Sequence, residues 1–229
     1  MKKIDLTLPT PHENLALDEA LLDFCEEARG GEILRFWEPR DYFAVLGYSN
    51  RFEREIRTPL VPVLRRISGG GTILQGPGCL NYSLILEIAG NVTETNRHVM
   101  GRHREAIEKI LGQEVRVEGH TDLTIGGMKF SGNAQRRKRK FLLFHGTFLW
   151  NFDIPRIEKF LAMPDKEPAY RRKRPHGDFL MNLPLKTPVI KKALEKIWGA
   201  DGDLKKIPLK DTDRLSREKY SQSSWNFKF

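Results

Sequence analysis

A glycine-rich segment that begins with two arginines is the densest candidate for chemistry in this sequence. It covers residues 65–72 (RRISGGGT) and holds Gly69, Gly70 and Gly71 in succession. Such glycines let a backbone pass close to a ligand and present N–H groups to phosphate, while the arginines supply fixed positive charge. The two common nucleotide motifs, GxxxxGK[ST] and GxGxxG, are absent. Taken alone, the segment is equally well explained as a simple glycine turn.

A predicted hairpin carries the second candidate, one acidic and one basic side chain. Asp122 begins its first strand, Gly126 and Gly127 form the turn, and Lys129 follows two residues later. Strand alternation predicts that Lys129 and Ser131 share one face, from which the lysine would reach a ligand under the glycines. The alternative is a surface lysine on an ordinary hairpin.

Two smaller candidates are a histidine beside a glycine and a lone cysteine. His145 and Gly146 interrupt the apolar run 141–150, where a glycine indicates that another group approaches the strand closely. His145 is otherwise explained as a hydrogen-bonded core residue. Cys79 follows the glycine segment, and a thiolate near two arginines would be a candidate nucleophile. A buried, inert thiol is the commoner state of a lone cysteine.

Helices and short strands are predicted to position these groups. Apolar spacing predicts helices over 14–28, 98–111 and 188–199, the last capped by Thr187. The predicted strands cover 33–37, 43–47, 61–64, 82–88, 115–117, 123–125, 128–131 and 141–150. This mixed order favours an α+β fold, with mainly antiparallel β-sheets flanked by helices, in a single domain over 1–229.

The composition excludes several classes of protein. With 39% hydrophobic and 30% charged residues, the 229-residue chain is predicted to be globular and not disordered. No apolar run approaches the roughly 20 residues needed to cross a bilayer, and the N-terminus lacks a signal-peptide pattern, so we expect a cytoplasmic protein with no membrane contact. Only Cys25 and Cys79 occur, without a CxxC pair, which argues against a disulfide framework and a structural zinc site.

Positive charge is concentrated in one part of the chain. Residues 129–175 hold 13 Lys and Arg against 4 Asp and Glu, which accounts for the whole net charge of +9. A basic face suits RNA, a nucleoside triphosphate or an acidic protein. The runs 136–140 and 171–174 would support a non-catalytic RNA- or protein-binding module, although few aromatic residues stand among them for stacking on bases. Segments 136–140 and 168–179 are also candidates for flexible loops that cover a site.

In order and content, these motifs resemble the lipoate–protein ligase A family, together with its biotin-ligase and octanoyltransferase relatives. The pairing of RRxSGGG with GxKxSGxA is the most specific part of the resemblance, which spans nearly the whole chain. The matching segments are 14–16, 45–47, 65–71, 127–134, 145–147 and 222–227. The fold implied is that of biotin/lipoate protein ligase catalytic domains.

The resemblance implies a two-step reaction. ATP activates lipoate or octanoate to an acyl-adenylate, and the acyl group then passes to a lysine of a lipoyl acceptor domain. That acceptor would be an acidic carrier such as a glycine-cleavage H protein or a dehydrogenase E2 domain, and a separate accessory subunit is a further implied partner. Lys129 would be the catalytic lysine, and Asp122 would place Mg²⁺ or the nucleotide. The implied substrate- and ATP-binding positions are Arg66, Ser68, Gly69, Gly70, Gly71, Asn81, Asp122, Ser131, Gly132, Ala134, Arg136, His145 and Gly146.

Three features depart from the family pattern. Members that catalyse both steps often carry a small C-terminal accessory domain, which is not expected here. The family's acidic residue after the glycine segment is replaced by Gly76-Pro77-Gly78, as in the octanoyltransferase branch. That branch uses a nucleophilic cysteine after the lysine or just before the acidic strand, and neither place has one here. Octanoyl or lipoyl transfer from an acyl-carrier protein is therefore the alternative enzymatic function.

Overall fold

Two β-sheets form the frame of the protein. The computed structural model describes residues 1–164 and 166–229, and in these ranges it contains eleven strands. The strands are β1 (Lys2–Asp5), β2 (Ile33–Trp37), β3 (Phe43–Leu46), β4 (Val63–Arg65), β5 (Ile73–Gln75), β6 (Cys79–Glu87), β7 (Arg116–Glu118), β8 (Asp122–Ile125), β9 (Met128–Arg137), β10 (Phe141–Leu149) and β11 (Gly202–Asp203).

Helices flank these sheets. They are α1 (Pro11–Glu26), α2 (Phe52–Glu55), α3 (Val92–Leu111), α4 (Pro155–Phe160), α5 (His176–Phe179), α6 (Thr187–Trp198), α7 (Leu209–Leu215) and α8 (Ser223–Asn226), with a 3₁₀ turn at Ala169–Arg171 and a π-helical turn at Ser216–Tyr220. Among the described residues, no helix combines the length and the apolar character needed to cross a membrane.

The large sheet confirms the predicted α+β class. Its eight strands run in the order β11-β1-β2-β6-β10-β9-β8-β7, and every pairing from β2 to β7 is antiparallel. Within this sheet the parallel pairs that the structure describes are those of β1 with β2 and with β11, whereas β3 and β4 of the small sheet are also parallel. The small sheet has the order β4-β3-β5. Strands β1, β5 and β11 were not predicted from the sequence.

Strand alternation divides the core into two layers. Leu34 and Phe36 of β2 face the cluster that contains α3 and α6, whereas Ile33 and Trp37 face the cluster that contains α1. The same alternation in β6 and β10 places their polar residues, among them Asn81 and His145, away from the α3 layer. The candidate site residues therefore collect on the side of the large sheet that α1 covers.

Local capping explains where the predicted helix starts were wrong. Thr10 and Glu13 form a capping box before α1, and Asn91 with Glu94 forms another that starts α3 six residues before the predicted position. Thr187 is not a cap: it is the first residue of α6, which follows Lys186 without a side-chain capping bond.

The basic run 136–140 is a tight hairpin and not a free loop. Strand β9 continues to Arg137, and the turn that follows is held by Glu26, whose carboxylate accepts from the backbone N–H groups of Arg139, Lys140 and Phe141. Lys138 pairs with Asp23 of the same helix. The prediction that this segment is a flexible cover is wrong, because α1 anchors it.

Candidate active site

A cleft of about 620 Å³ opens on the α1 side of the large sheet. Its walls come from the middle strands of that sheet, the glycine-rich loop between β4 and β5, and the chain from α4 to α5. The volume lies in the range of small-molecule sites. Most of the predicted site residues line this cleft: Arg66, Gly70, Gly71, Asn81, Asp122, Lys129, Ser131, Gly132, Ala134, His145 and Gly146.

Lys129 presents its ammonium group at the wall of the cleft. Its Nζ lies 2.8 Å from Oδ1 of Asp122, and both side chains keep some exposure, 24% and 14%. The second carboxylate oxygen of Asp122, Oδ2, accepts a hydrogen bond of 2.7 Å from the hydroxyl of Tyr170. Asp122 is thereby held from two directions, and its charge is directed at the lysine.

Gly132 provides the space for this ammonium. A Cβ at position 132 would lie 2.7 Å from Nζ of Lys129, so the lysine lies over a residue that has no side chain. The β8–β9 pairing shifts register between Leu123 and Thr124 opposite this point, a β-bulge that interrupts the alternation. Lys129 therefore lies on the Gly132 side, while the Ser131 hydroxyl contacts the Asn133 side chain. The prediction that Lys129 and Ser131 share one face is wrong for this reason.

Arg66 shapes the glycine-rich loop from within. Its guanidinium donates to the carbonyls of Val45, Gly69 and Gly71 and to the hydroxyl of Ser68. Burial lowers the pKa of Arg66 to about 10. Gly70 adopts φ +89°, a backbone conformation that glycine takes at little cost in energy and that other residues rarely adopt. The structure thus places Arg66 as the support of the loop, with its donors directed at loop oxygens.

Arg65 fastens the C-terminal motif to the same loop. It is fully buried and donates to the carbonyls of Gly47, Asn50 and Asn226, while Trp225 donates to the carbonyl of Arg65. The segments around 45–47, 65–71 and 222–227, distant in sequence, therefore meet in space.

A hydrogen-bonded chain runs behind the loop from Ser68 to α1. The Ser68 hydroxyl lies 2.5 Å from Nε2 of His145, and Nδ1 of His145 lies 3.5 Å from Oδ2 of Asp18. With its proton on Nδ1, His145 accepts from Ser68. Burial would raise the pKa of Asp18, but the Arg35 guanidinium, 2.6 Å away, and His145 hold it below the usual value. Ser68 is only 1% exposed, so this chain fixes the loop and does not present a nucleophile.

A second polar group forms another part of the wall. Asn81 and Gln75 exchange hydrogen bonds of 2.9 and 3.0 Å, and both bond Thr147. Thr147 pairs with Gly132 in the sheet, which places this group beside the lysine along the neighbouring strands. Asn81 therefore lies in the wall of the cleft near Lys129.

Of the remaining predicted positions, two line the cleft and two do not. Gly146 accommodates the Asn133 side chain, since a Cβ there would lie 1.6 Å from its Oδ1, and this confirms the close approach inferred from the sequence. Ala134 lines the cleft next to Gly70. Arg136 is exposed outside the lining, with its guanidinium 5.7 Å from the ring centre of Tyr48, and Gly69 is likewise not in the lining.

Asp122 would hold Mg²⁺ only together with the phosphate oxygens of a bound nucleotide. In residues 1–164 and 166–229, no group of three or more His, Cys, Asp and Glu side chains is placed to hold a metal ion. Each oxygen of Asp122 has one protein contact, Oδ1 with Lys129 and Oδ2 with Tyr170, and keeps a further lone pair. In the structure, Asp122 is the partner of the lysine.

Neither cysteine is presented for chemistry. Cys25 and Cys79 are free and fully buried, and burial raises the pKa of each to about 12. A thiol in this state is a poor nucleophile at neutral pH. The structure gives no support to the hypothesis that Cys79 is a nucleophile.

Sequence reasoning missed three residues that the site uses. Asp18 stands three residues after Leu15 and three before Leu21, on the buried stripe of α1, and a carboxylate on an apolar stripe was a signal for a buried partner. Gln75 belongs to β5, a three-residue strand that was not predicted from the sequence. Tyr170 lies 48 residues from Asp122, and no local pattern connects them.

Comparison with known sequences finds a matching protein family and several related proteins. Residues 10–184 match the family described as the lipoyl protein ligase A/B catalytic domain. A putative lipoate-protein ligase A of Aeropyrum pernix is 35% identical over 157 residues, which is 66% of this chain and 58% of that protein. The chain thus spans little more than half the length of that relative. An octanoyltransferase LipM of Halalkalibacterium halodurans is 24% identical over 95% of both chains.

Two solved structures share the fold over nearly all of both chains. A lipoate-protein ligase A bound with ATP superposes with a TM-score of 0.79 at 22% identity, over 99% of each chain. A bipartite lipoate protein ligase of Thermoplasma acidophilum, described with its E2 lipoyl domain, gives 0.80 at 23% identity, over 99% of this chain and 96% of that one. At such identities the likeness concerns the fold alone, and it confirms the fold expected from the resemblance.

Proposed function

Because this chain belongs to the lipoyl protein ligase A/B catalytic-domain family, we propose that it is an ATP-dependent lipoate–protein ligase. In the first step a carboxylate oxygen of lipoate or octanoate attacks the α-phosphorus of ATP, and pyrophosphate leaves. In the second step the amine of an acceptor lysine attacks the carbonyl carbon, AMP leaves with the bonding electrons, and the amine gives up a proton to solvent.

The position of Lys129 is the observation that carries this proposal. Its ammonium group faces a cleft of small-molecule size, over a residue without a side chain, and is held by a single carboxylate. Adenylation brings a carboxylate and a triphosphate together, so negative charge accumulates where the new bond forms. A compact, fixed cation stabilises that charge more than it stabilises the separate substrates.

The rest of the wall supports the same roles. The loop around Gly70 and Gly71 lines the acyl side of the cleft, and Arg66 with Ser68 and His145 keeps that loop in one conformation. Asn81 offers a fixed amide toward the bound acyl-adenylate. Preorganised polar groups of this kind orient two substrates for reaction without further rearrangement.

Acyl transfer from an acyl-carrier protein is the alternative, because octanoyltransferases are among the relatives. Such an enzyme needs a nucleophile, and the two cysteines are buried thiols with a raised pKa. We therefore place ATP-dependent ligation first.

We propose as partner the acidic lipoyl domain of a carrier protein. Arg172 and Lys173 are exposed at the end of the segment that forms one wall of the cleft, so an acidic domain would meet positive charge beside the site. Charge of this kind speeds encounter. We expect added salt to lower the rate of acceptor modification more than the rate of pyrophosphate release.

One experiment separates the candidates. The purified chain is incubated with lipoate, ATP, Mg²⁺ and a lipoyl domain, and both the intact mass of the domain and the released pyrophosphate are measured, with and without ATP. An ATP-dependent mass gain supports the ligase. Pyrophosphate without a mass gain supports activation on this chain with transfer that depends on an accessory subunit.

The opposite results overturn the proposal. Modification of the domain from octanoyl-carrier protein without ATP would make the chain a transferase. No turnover under either condition would favour a two-subunit enzyme or a non-catalytic relative over a self-sufficient ligase. We expect Cys79→Ser to keep the ATP-dependent activity, whereas its inactivation in a folded protein would restore the transferase hypothesis.

A further inference from the structure

Tyr170 joins the segment that covers the cleft to the lysine on its wall. Its hydroxyl donates to Oδ2 of Asp122 at 2.7 Å, while Oδ1 of the same carboxylate lies 2.8 Å from Nζ of Lys129. Tyr170 itself is not among the residues that line the cleft. It therefore reaches the site only through Asp122.

The segment that carries Tyr170 is fixed to the hairpin of Lys129 at two more points. Arg174 donates to the carbonyls of Gly127 and Tyr170 at 3.0 and 3.1 Å. The N–H of Met181 donates to the carbonyl of Lys129 at 2.9 Å. The Tyr170 ring packs on Phe179, with ring centres 5.3 Å apart. The hydroxyl is thus delivered to Asp122 by a segment that is anchored to this hairpin on the C-terminal side of Tyr170.

A carboxylate with one such donor has less rotational freedom than a free one. A lysine side chain has four rotatable bonds, and holding it in one position costs conformational entropy. Burial and the neighbouring Asp122 hold the pKa of Tyr170 above its usual value, so it remains a donor at neutral pH. The hydroxyl fixes Oδ2, and Oδ1 is left in one orientation for the ammonium.

We propose that Tyr170 is a positioning residue, which through Asp122 holds the Lys129 ammonium in place when segment 168–179 is docked. This inference rests on the proposed function for its effect on turnover, but its structural part does not. The docked segment would then both form a wall of the cleft and hold the Lys129 ammonium in position.

The molecule offers a matched control. Tyr220 donates to Oε2 of Glu19 at 2.7 Å, and Glu19 pairs with Lys219, also at 2.7 Å. This second group also joins a tyrosine and a lysine through one carboxylate, here a glutamate, and it lies outside the lining of the cleft. Tyr170→Phe and Tyr220→Phe therefore remove the same kind of hydrogen bond at two places.

The first test needs no enzymatic activity. The full chain and each variant are treated briefly with acetic anhydride, and acetylation of Lys129 and Lys219 is followed by peptide mass spectrometry. A paired ammonium must leave its carboxylate and lose a proton to solvent before its nitrogen can attack the reagent and release acetate. We expect Tyr170→Phe to speed labelling of Lys129 about tenfold, as for loss of a hydrogen bond to a charged group, and Tyr220→Phe to leave it unchanged. The proposal would be overturned if Tyr170→Phe leaves the labelling rate of Lys129 unchanged. It would also be overturned if Tyr220→Phe raises the labelling rate of Lys129 as much as Tyr170→Phe does.

The second test uses turnover. Tyr170→Phe should lower kcat for pyrophosphate release about tenfold while KM for lipoate changes less than about twofold. On an Asp122→Ala background the same substitution should have no further effect, because its route to the lysine is gone. A KM effect, or additive losses, would contradict a role through Asp122. An inactive wild-type chain with the expected labelling would reject the proposed function and keep this inference.

Discussion

The molecule contains two groups in which one carboxylate binds both a tyrosine hydroxyl and a lysine ammonium. Lys129 and Asp122 have exposed fractions of 24% and 14%, and Lys219 and Glu19 have 23% and 13%. Each carboxylate accepts from a tyrosine hydroxyl at 2.7 Å. They differ in two details: Lys219 contacts both oxygens of Glu19, at 2.8 and 2.7 Å, and Tyr220 is buried whereas Tyr170 is half-buried.

Their surroundings differ. The ammonium of Lys219 lies 4.1 Å from the ring centre of Trp225 and 5.5 Å from that of Tyr220, between helices that pack on α1. The ammonium of Lys129 lies over Gly132 at an open cleft. One group closes a helix interface, and the other leaves room for a ligand. The comparison teaches that the space beside a charged pair, and not the pair itself, marks the candidate site.

The largest effect should come from removing each lysine in turn. Lys129→Ala should lower the rate of pyrophosphate release by about 10²- to 10³-fold, the size of effect seen when one preorganised charge-stabilising group is lost. Lys219→Ala should keep the rate and lower the free energy of unfolding by about 1 kcal/mol. Kinetics and urea unfolding measure the two quantities. If both variants lose pyrophosphate release equally, the open cleft beside Lys129 does not distinguish the two lysines in function.

The next effect should come from filling the space under the Lys129 ammonium. A Cβ in Gly132→Ala meets the end of a flexible side chain, 2.7 Å from Nζ and 2.8 Å from Cε of Lys129, so the ammonium moves by about 1 Å and the backbone does not. A displacement of that size can cost about 10²-fold in rate.

Gly101→Ala in α3 is the control for that substitution. A Cβ there has nothing within 4 Å, and alanine in a helix should stabilise the protein by about 0.5 to 1 kcal/mol. We expect Gly132→Ala to unfold at nearly the wild-type urea concentration. If it loses stability instead of rate, the space beside Lys129 is structural.

Whether a feature of the fold or the site could be predicted from the sequence depends on how far apart in the chain the interacting residues are. The hairpin turn at Gly126 and Gly127, the helix around Leu15 and the close approach at Gly146 follow from local patterns and were predicted. The bulge that separates Lys129 from Ser131 was not, because a register shift depends on the partner strand β8. The bonds of Tyr170 and Asp18 join residues far apart in the chain, and only the folded topology brings them together.

The smallest effect should come from the two tyrosine hydroxyls, where stability and rate are expected to separate. Tyr220→Phe removes a buried hydroxyl from a charged acceptor, so we expect a loss of about 1 to 2 kcal/mol in the free energy of unfolding with unchanged pyrophosphate release. Tyr170→Phe should show the reverse order, a small change in unfolding and a measurable fall in kcat, since its carboxylate stays at the edge of an open cleft where water can replace the hydroxyl. Urea unfolding and steady-state kinetics on the same preparations decide the matter. If both variants lose stability and rate in proportion, the two groups act alike, and the open space beside Lys129 gives its tyrosine no separate role.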